Sequence, residues 1–79
     1  MIKKIIIDII AFHSGFPKDQ IKISMSIQED LLVSNAMYDT IIGSIESYFQ
    51  LEIPLNAIDE FYTIYDMIQY VKKNTKVTF

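Results

Sequence analysis

Five isoleucines near the start of the chain, Ile2, Ile5, Ile6, Ile9 and Ile10, recur at i, i+3, i+4, i+7 and i+8. β-branched residues favour strands when spacing is ignored, but this spacing lines one face of a helix. Ser14-Gly15-Phe16-Pro17 then supplies a glycine stop with a proline two residues on, so the first helix is predicted over about residues 2–13. The same period returns in Tyr38, Ile41, Ile42, Ile45 and Phe49, behind Ser34 or Asn35 as N-cap, and predicts a second helix over about 35–49. After Pro54, Asn56 is placed to cap a short helical turn over Ala57 to Phe61. Thr63 opens the last helix, with Ile64, Met67, Ile68 and Val71 on its apolar face, Asp66 in the first turn and Lys72-Lys73 in the last, both signs suiting the macrodipole. Between Phe16 and Val33 no period is sustained. Ile21, Ile23, Met25 and Ile27 alternate there as a strand would, yet a lone strand leaves its backbone groups unpaired, so a long ordered loop pinned by those side chains is expected. Asn74 to Phe79 is expected to fray. The reading is an all-α fold of three main helices and one short one.

Composition narrows the function classes. Seventy-nine residues support one domain, 1–79, which buries only about 60 to 65% of the surface of its unfolded chain, so nearly every apolar residue is needed in a single core. Zero cysteines remove disulfides, thiolate metal sites and thiol nucleophiles together. A net charge of −3, with the lysines scattered or at the ends, disfavours nucleic acid and makes a basic partner the better match. No apolar run approaches the roughly 20 residues that span a bilayer, and the first residues lack the pattern of a signal peptide, so a cytoplasmic protein without a membrane span is expected.

The order of these elements and a set of particular residues together resemble the acyl carrier protein family. The landmarks are Ile9-Ile10 followed by Gly15, then Ile21, then Ile27-Gln28-Glu29-Asp30-Leu31, then Ile45-Glu46-x-x-Phe49-x-x-Glu52-Ile53-Pro54, then Phe61-x-Thr63-Ile64-x-Asp66-x-Ile68-x-Tyr70-Val71. They follow the family's usual pattern from about residue 5 to 73 without a gap. The resemblance implies an acyl-carrier-protein-like four-helix bundle with a long loop between its first two helices. It also implies a site. The family carries 4'-phosphopantetheine, esterified to a serine at the start of the second helix in the pattern Asp-Leu-Gly-x-Asp-Ser-Leu. Counted from Asp30-Leu31, that serine position holds Asn35, with Leu32 in place of glycine, Ser34 in place of aspartate and Ala36 in place of a large apolar residue. Counting back from Phe49 gives the same register.

An amide offers no hydroxyl for a phosphodiester, so Asn35 cannot carry the arm and no cofactor is expected. Ser34 is the alternative attachment site, and 4'-phosphopantetheine would then be the cofactor. That requires a deletion and an insertion that turn the serine about 100° around the helix. Without a cofactor, Ser34 and Asn35 are simply helix-capping residues.

In this family, acyl-transfer and synthase-type enzymes dock through acids on the second helix, which implies protein partners of that kind here. Asp39 and Glu46 are the acids that remain, and Met37 and Tyr48 are either apolar partner anchors or side chains leaning onto the core. Tyr38, Ile41, Ile42, Ile45, Phe49, Ile64 and Ile68 either line an acyl cavity or fill a solid core. Solid core is favoured, because an empty cavity only forfeits packing. His13 is expected to meet the dipole of the first helix or the loop. Glu29-Asp30 and Asp59-Glu60 read as caps and solvated faces, since chain neighbours point apart. No nucleophile, base and orienting group come together and no metal set is evident, so the expectation is a non-enzymatic protein: a divergent carrier-type domain acting through contacts of its second helix, or a genuine carrier modified on Ser34 for fatty-acid or polyketide-type thioester chemistry.

Overall fold

The computed structural model describes residues 1–78, and these form five α-helices and one 3₁₀ turn with no strand among them. The helices are α1 (Ile2–Ser14), α2 (Ile27–Asp30), α3 (Asn35–Phe49), α4 (Leu55–Ile58) and α5 (Ile64–Asn74), and the 3₁₀ turn is Lys18–Gln20. The long helix α1 packs on both α3 and α5. Their facing stripes make one core, with Ile6 and Ile10 from α1, Ile41, Ile42, Ile45 and Phe49 from α3, and Ile64, Met67, Ile68 and Val71 from α5. Ile21, Ile27, Leu31, Leu51 and Ile53 close it from the connections and α2.

α3 and α5 start where their caps predict, and α1 stops at its predicted glycine. Gly15 ends α1 with φ 74, a left-handed conformation that glycine adopts without strain, and its N–H donates to the Ala11 carbonyl at 2.9 Å. Ser34 caps α3 and Thr63 caps α5, each side chain accepting from the backbone N–H three residues on.

Three expectations are corrected. The segment from Phe16 to Val33 is not loop throughout, because it contains the 3₁₀ turn and α2. Ser26 caps α2 by accepting from the Glu29 N–H, and the Asp30 carboxylate accepts from the Ser26 N–H at 2.7 Å. Two bonds of Ser26 therefore sustain a helix too short to show a period. Second, Asn56 is not a cap, because α4 starts a residue earlier. The Pro54 carbonyl receives the Ala57 and Ile58 N–H groups, at 3.0 and 3.1 Å, and Phe61 lies beyond the end of the helix. Third, the start of the carboxyl-terminal segment is tied down. Asn74 completes α5, and the Thr75 hydroxyl donates to the Phe49 carbonyl at 2.9 Å, joining the ends of α5 and α3. Phe79, the last residue of that segment, lies outside the described residues.

The alternating stretch behaves as the pinned loop expected of it, with Ile21 and Ile27 buried and Ile23 and Met25 packed against the core. Its backbone is also used. The Ile64 and Tyr65 N–H groups, the first two of α5, donate to the Met25 and Ile23 carbonyls, each at 2.9 Å. The next, of Asp66, donates to Thr63 Oγ1, and the Asp66 carboxylate accepts in turn from the Tyr62 and Thr63 N–H groups at 2.9 and 3.0 Å. Every donor that the first turn of α5 leaves unpaired within the helix thus has a partner.

Ile45 sits fully buried at the centre of the α3 stripe. Truncation to alanine is expected to lower unfolding free energy by about 2–5 kcal/mol in urea titration, with an unchanged m-value. A loss below about 1 kcal/mol would contradict the packing described here.

Candidate functional site

Leu31 seals the end of α2, and the three residues after it turn the chain into α3. Leu32 makes the turn with φ 54, in the left-handed region where a Cβ is penalised and glycine is preferred. No burial compensates that strain, since Leu32 is 83% exposed. Ser34 follows in extended conformation, its Oγ accepting from the Met37 N–H at 3.1 Å. Asn35 is the first helical residue, and its Oδ1 accepts from Gln28 Nε2 at 2.6 Å, a bond that ties α2 to the start of α3. Leu32, Ser34, Asn35 and Ala36 are all exposed.

Helix geometry separates the other candidates into two groups. Met37 and Tyr48 are eleven residues apart, close to three full turns, so they share one flank of α3. Asp39 and Glu46, seven apart, share the other. On the first flank Met37 is half-buried against the core, whereas Tyr48 is 51% exposed, its ring set edge-on to Phe49 at 5.0 Å. On the second, Asp39 is exposed, but Glu46 is engaged within the chain. Its carboxylate accepts from the Ile53 N–H at 2.8 Å, and its carbonyl accepts the N–H groups of Gln50 and Leu51 as α3 ends in a left-handed Gln50. Glu46 therefore organises the connection from α3 to Pro54. Sequence reasoning missed that role because the bond spans seven residues and has no local motif. Gln50, forced to φ 54 at a helix end, gave no sign of it either.

His13 faces neither the dipole alone nor the loop. Its Nε2 meets Ser44 Oγ at 2.9 Å, a bond between α1 and α3. Ser44 lies within α3, whose backbone N–H groups are taken up by the helix, so no oxyanion-binding donors accompany the pair and it has the character of an interhelical tie. Asp30 serves as a cap, and Asp59 and Glu60 are exposed. Among the described residues no group of His, Asp or Glu is arranged to hold a metal ion, and no helix is long and apolar enough to cross a membrane.

The residues considered for an acyl cavity are packed. Ile41, Ile42, Ile45, Phe49, Ile64 and Ile68 are buried in the common core, and Tyr38 is half-buried at its edge. The pocket that Tyr38 shares with Ile27, Gln28, Phe61, Thr63 and Met67 has a volume of about 20 Å³, room for a single water molecule and not for an acyl chain. Burial first, and the nearby Asp39 and Asp59 carboxylates second, push the Tyr38 phenol above its ordinary pKa. Hydrogen bonds from Lys18 and Lys4 hold the Asp8 carboxyl below its ordinary range.

Compared with known protein families, the chain matches no family model.

Two measurements check this geometry. Leu32→Gly removes the side chain from a left-handed position and is expected to raise stability by about 0.5–1 kcal/mol, against the usual cost of adding a glycine. A destabilisation would mean that Leu32 makes contacts outweighing its strain. For Tyr38, the folded state disfavours the phenolate more than the unfolded chain does. The unfolded state then binds fewer protons above the ordinary tyrosine pKa of about 10, and stability falls as pH rises through that value. Tyr38→Phe is expected to flatten this alkaline decline relative to wild type, as followed by urea unfolding at stepped pH.

Proposed function

We propose that this chain is a carrier-protein-like domain that has lost prosthetic-group attachment and works through protein contacts of α3. The observation that carries this reading is a division between kept and changed positions. Landmark residues shared with the acyl carrier pattern have structural work here. Gly15 ends α1, Ile27 and Leu31 are buried, and Glu46 and Phe49 organise and fill the end of α3. Thr63 and Asp66 form the capping box of α5. The four positions that depart from the pattern, Leu32, Ser34, Asn35 and Ala36, are exposed at one turn. No buried contact required them to change.

Leu32 adds a separate argument. It occupies the glycine position of the attachment motif, and its backbone keeps the left-handed conformation that glycine suits. A turn that retains a glycine conformation while carrying leucine is what an ancestral attachment loop freed from its chemistry would leave behind. The all-α fold, with three long helices and a short α4 before the last, supports this reading, and α2 adds one short helix beyond the four that the resemblance implies.

Attachment at Ser34 is disfavoured by register, since Ser34 stands one residue before the family's serine position, and as the N-cap whose hydroxyl accepts from the Met37 N–H it already has a role that needs no cofactor. In this reading the partners are proteins of the acyl-transfer or synthase type that engage α3, and no phosphopantetheine takes part.

The test is covalent. After incubation with coenzyme A and a permissive phosphopantetheinyl transferase, intact-mass spectrometry is expected to show no addition to the wild-type chain. Asn35→Ser combined with Ser34→Asp, Ala36→Leu and Leu32→Gly is expected to gain one arm. An arm on the wild-type chain, mapping to Ser34, would overturn the proposal in favour of a working carrier.

A further inference from the structure

Charge is segregated along this chain, since eight acids and no lysine lie between Ile23 and Val71. The fold then brings the two lysine-bearing ends of the chain together. His13 of α1 bonds Ser44 of α3, while Ile5 and Ile9 share a groove with Ser47 and Tyr48, so α1 and α3 run antiparallel. The Thr75 hydroxyl joins the end of α5 to the end of α3. One end of the molecule therefore carries the start of α1 and the finish of both α3 and α5. Lys3, Lys4, Lys72, Lys73 and Lys76, five of the seven lysines, stand exposed there. We infer that this end docks the domain on a membrane surface rich in anionic lipid, its lysines among the headgroups and no helix inserted. The inference does not rest on the carrier-like reading.

The charges of this end call for an anion from outside the chain. Of the five lysines only Lys4 has an ion pair among the described residues, at 3.3 Å to Asp8, which Lys18 approaches equally closely. Two acids stand near the lysines of α5, Glu46 and Glu52, and the first is already bonded to the Ile53 N–H. Lys3 and Lys4 also occupy the first turn of α1, where the helix macrodipole disfavours cations and no acid offsets them. Lys72 and Lys73, in the last turn of α5, complement their dipole, but the pair on α1 has no such benefit.

Shape selects a surface over a strand or a peptide. The cleft between the end of α3 and the residues after α5 is walled by both Glu46 and Glu52, which repel a phosphate chain or an acidic peptide entering it. A layer of headgroups needs no cleft. It meets only the tips of the lysines, whose long stems carry the charge clear of the backbone. Lysine is a mobile point charge, suited to phosphates without fixed geometry, whereas the arginine fork, which this chain lacks, suits a set one. A local cluster of about four to eight basic residues is what holds a segment on an anionic leaflet. Asp39 near the start of α3 and Asp66 in the first turn of α5 lie at the opposite end, so the field that attracts the lysines turns these acids away from the membrane.

Vesicle flotation of the full chain tests the inference. In about 20 mM salt, phosphatidylcholine vesicles containing about 40% phosphatidylglycerol are expected to carry the protein, and vesicles of phosphatidylcholine alone are not. Raising the salt to about 500 mM is expected to release it, as the Debye length falls from about 20 Å to about 4 Å. Lys3→Gln with Lys4→Gln, and separately Lys72→Gln with Lys73→Gln, are each expected to weaken partitioning at least about tenfold with an unchanged circular dichroism spectrum. Lys22→Gln removes a charge near the opposite end, where the Met25 carbonyl meets the start of α5, and is expected to change partitioning less than about twofold. The inference is overturned if the protein stays off the anionic vesicles at low salt. It is equally overturned if Lys22→Gln weakens binding as much per charge as the paired variants, because net charge is then the cause. A chain that binds a single-stranded oligonucleotide at low salt and leaves the vesicles bare also overturns it. None of these results bears on phosphopantetheine attachment, which the intact-mass experiment decides separately.

Discussion

The fold depends on how the first turn of α5 is satisfied. A helix leaves its first backbone donors without internal partners, and burying such a turn is costly unless something else accepts from them. Here the acceptors come from two places: the carbonyls of Ile23 and Met25, about forty residues earlier, and the capping box of Thr63 and Asp66. The long connection between α1 and α3 is thereby made part of the core's wall. Its apolar side chains, Ile21, Ile23, Met25 and Ile27, pack inward while its carbonyls close the start of a helix. A connection that joins no sheet is stable in this setting because a helix end takes up two of its backbone carbonyls.

The long helices were legible in the sequence because each joins an apolar stripe to a boundary signal beside it. Ile2 to Ile10 end at the glycine stop of Gly15, whereas Tyr38 to Phe49 and Ile64 to Val71 follow the caps Ser34 and Thr63. What could not be read has a common physical form. α2 is held by two bonds of Ser26, whose hydroxyl accepts from the Glu29 N–H and whose N–H donates to the Asp30 carboxylate, α4 by the carbonyl of Pro54, and the turn after α3 by the Glu46 carboxylate on the Ile53 N–H. These elements are shorter than the period a pattern needs to declare itself, or their bonds join residues whose separation follows no repeat. The tie between His13 and Ser44 spans thirty-one positions and belongs to the same class. At the candidate site, the start of α3 at Asn35 was readable from its cap and stripe, but the division of α3 into two flanks with different duties emerged only from the bonds of Glu46.

That division has a consequence for the chemistry of recognition. An acid whose carboxylate already accepts from a backbone N–H has less to offer a basic partner, and withdrawing it would release the connection that leads to Pro54. Of the two acids on that flank, Asp39 alone is wholly at the surface. Charge-led docking, which steers encounter through a summed field, therefore has little field to work with along α3. The opposite flank is different in kind. It presents the exposed ring of Tyr48 beside Phe12 of α1, and such surfaces gain their free energy by desolvation at short range.

A strained and solvent-exposed leucine at the turn into α3 fits the same picture. Fixed strain of this sort persists only where the surrounding structure dictates the backbone, and here Leu31 is buried on one side while Ser34 caps a helix on the other. The conformation of residue 32 is therefore set by its neighbours, and the identity of its side chain is free to follow function or drift. Glycine at that point would be the least strained choice. Leucine instead places an apolar side chain in solvent one residue from the buried end of α2 and two from the cap of α3, where the proposed protein contacts begin. An exposed apolar group held on a rigid turn loses little conformational entropy when it is covered. The residue that is hardest to justify for the stability of the free chain is thus well placed to contribute once a partner lies against α3.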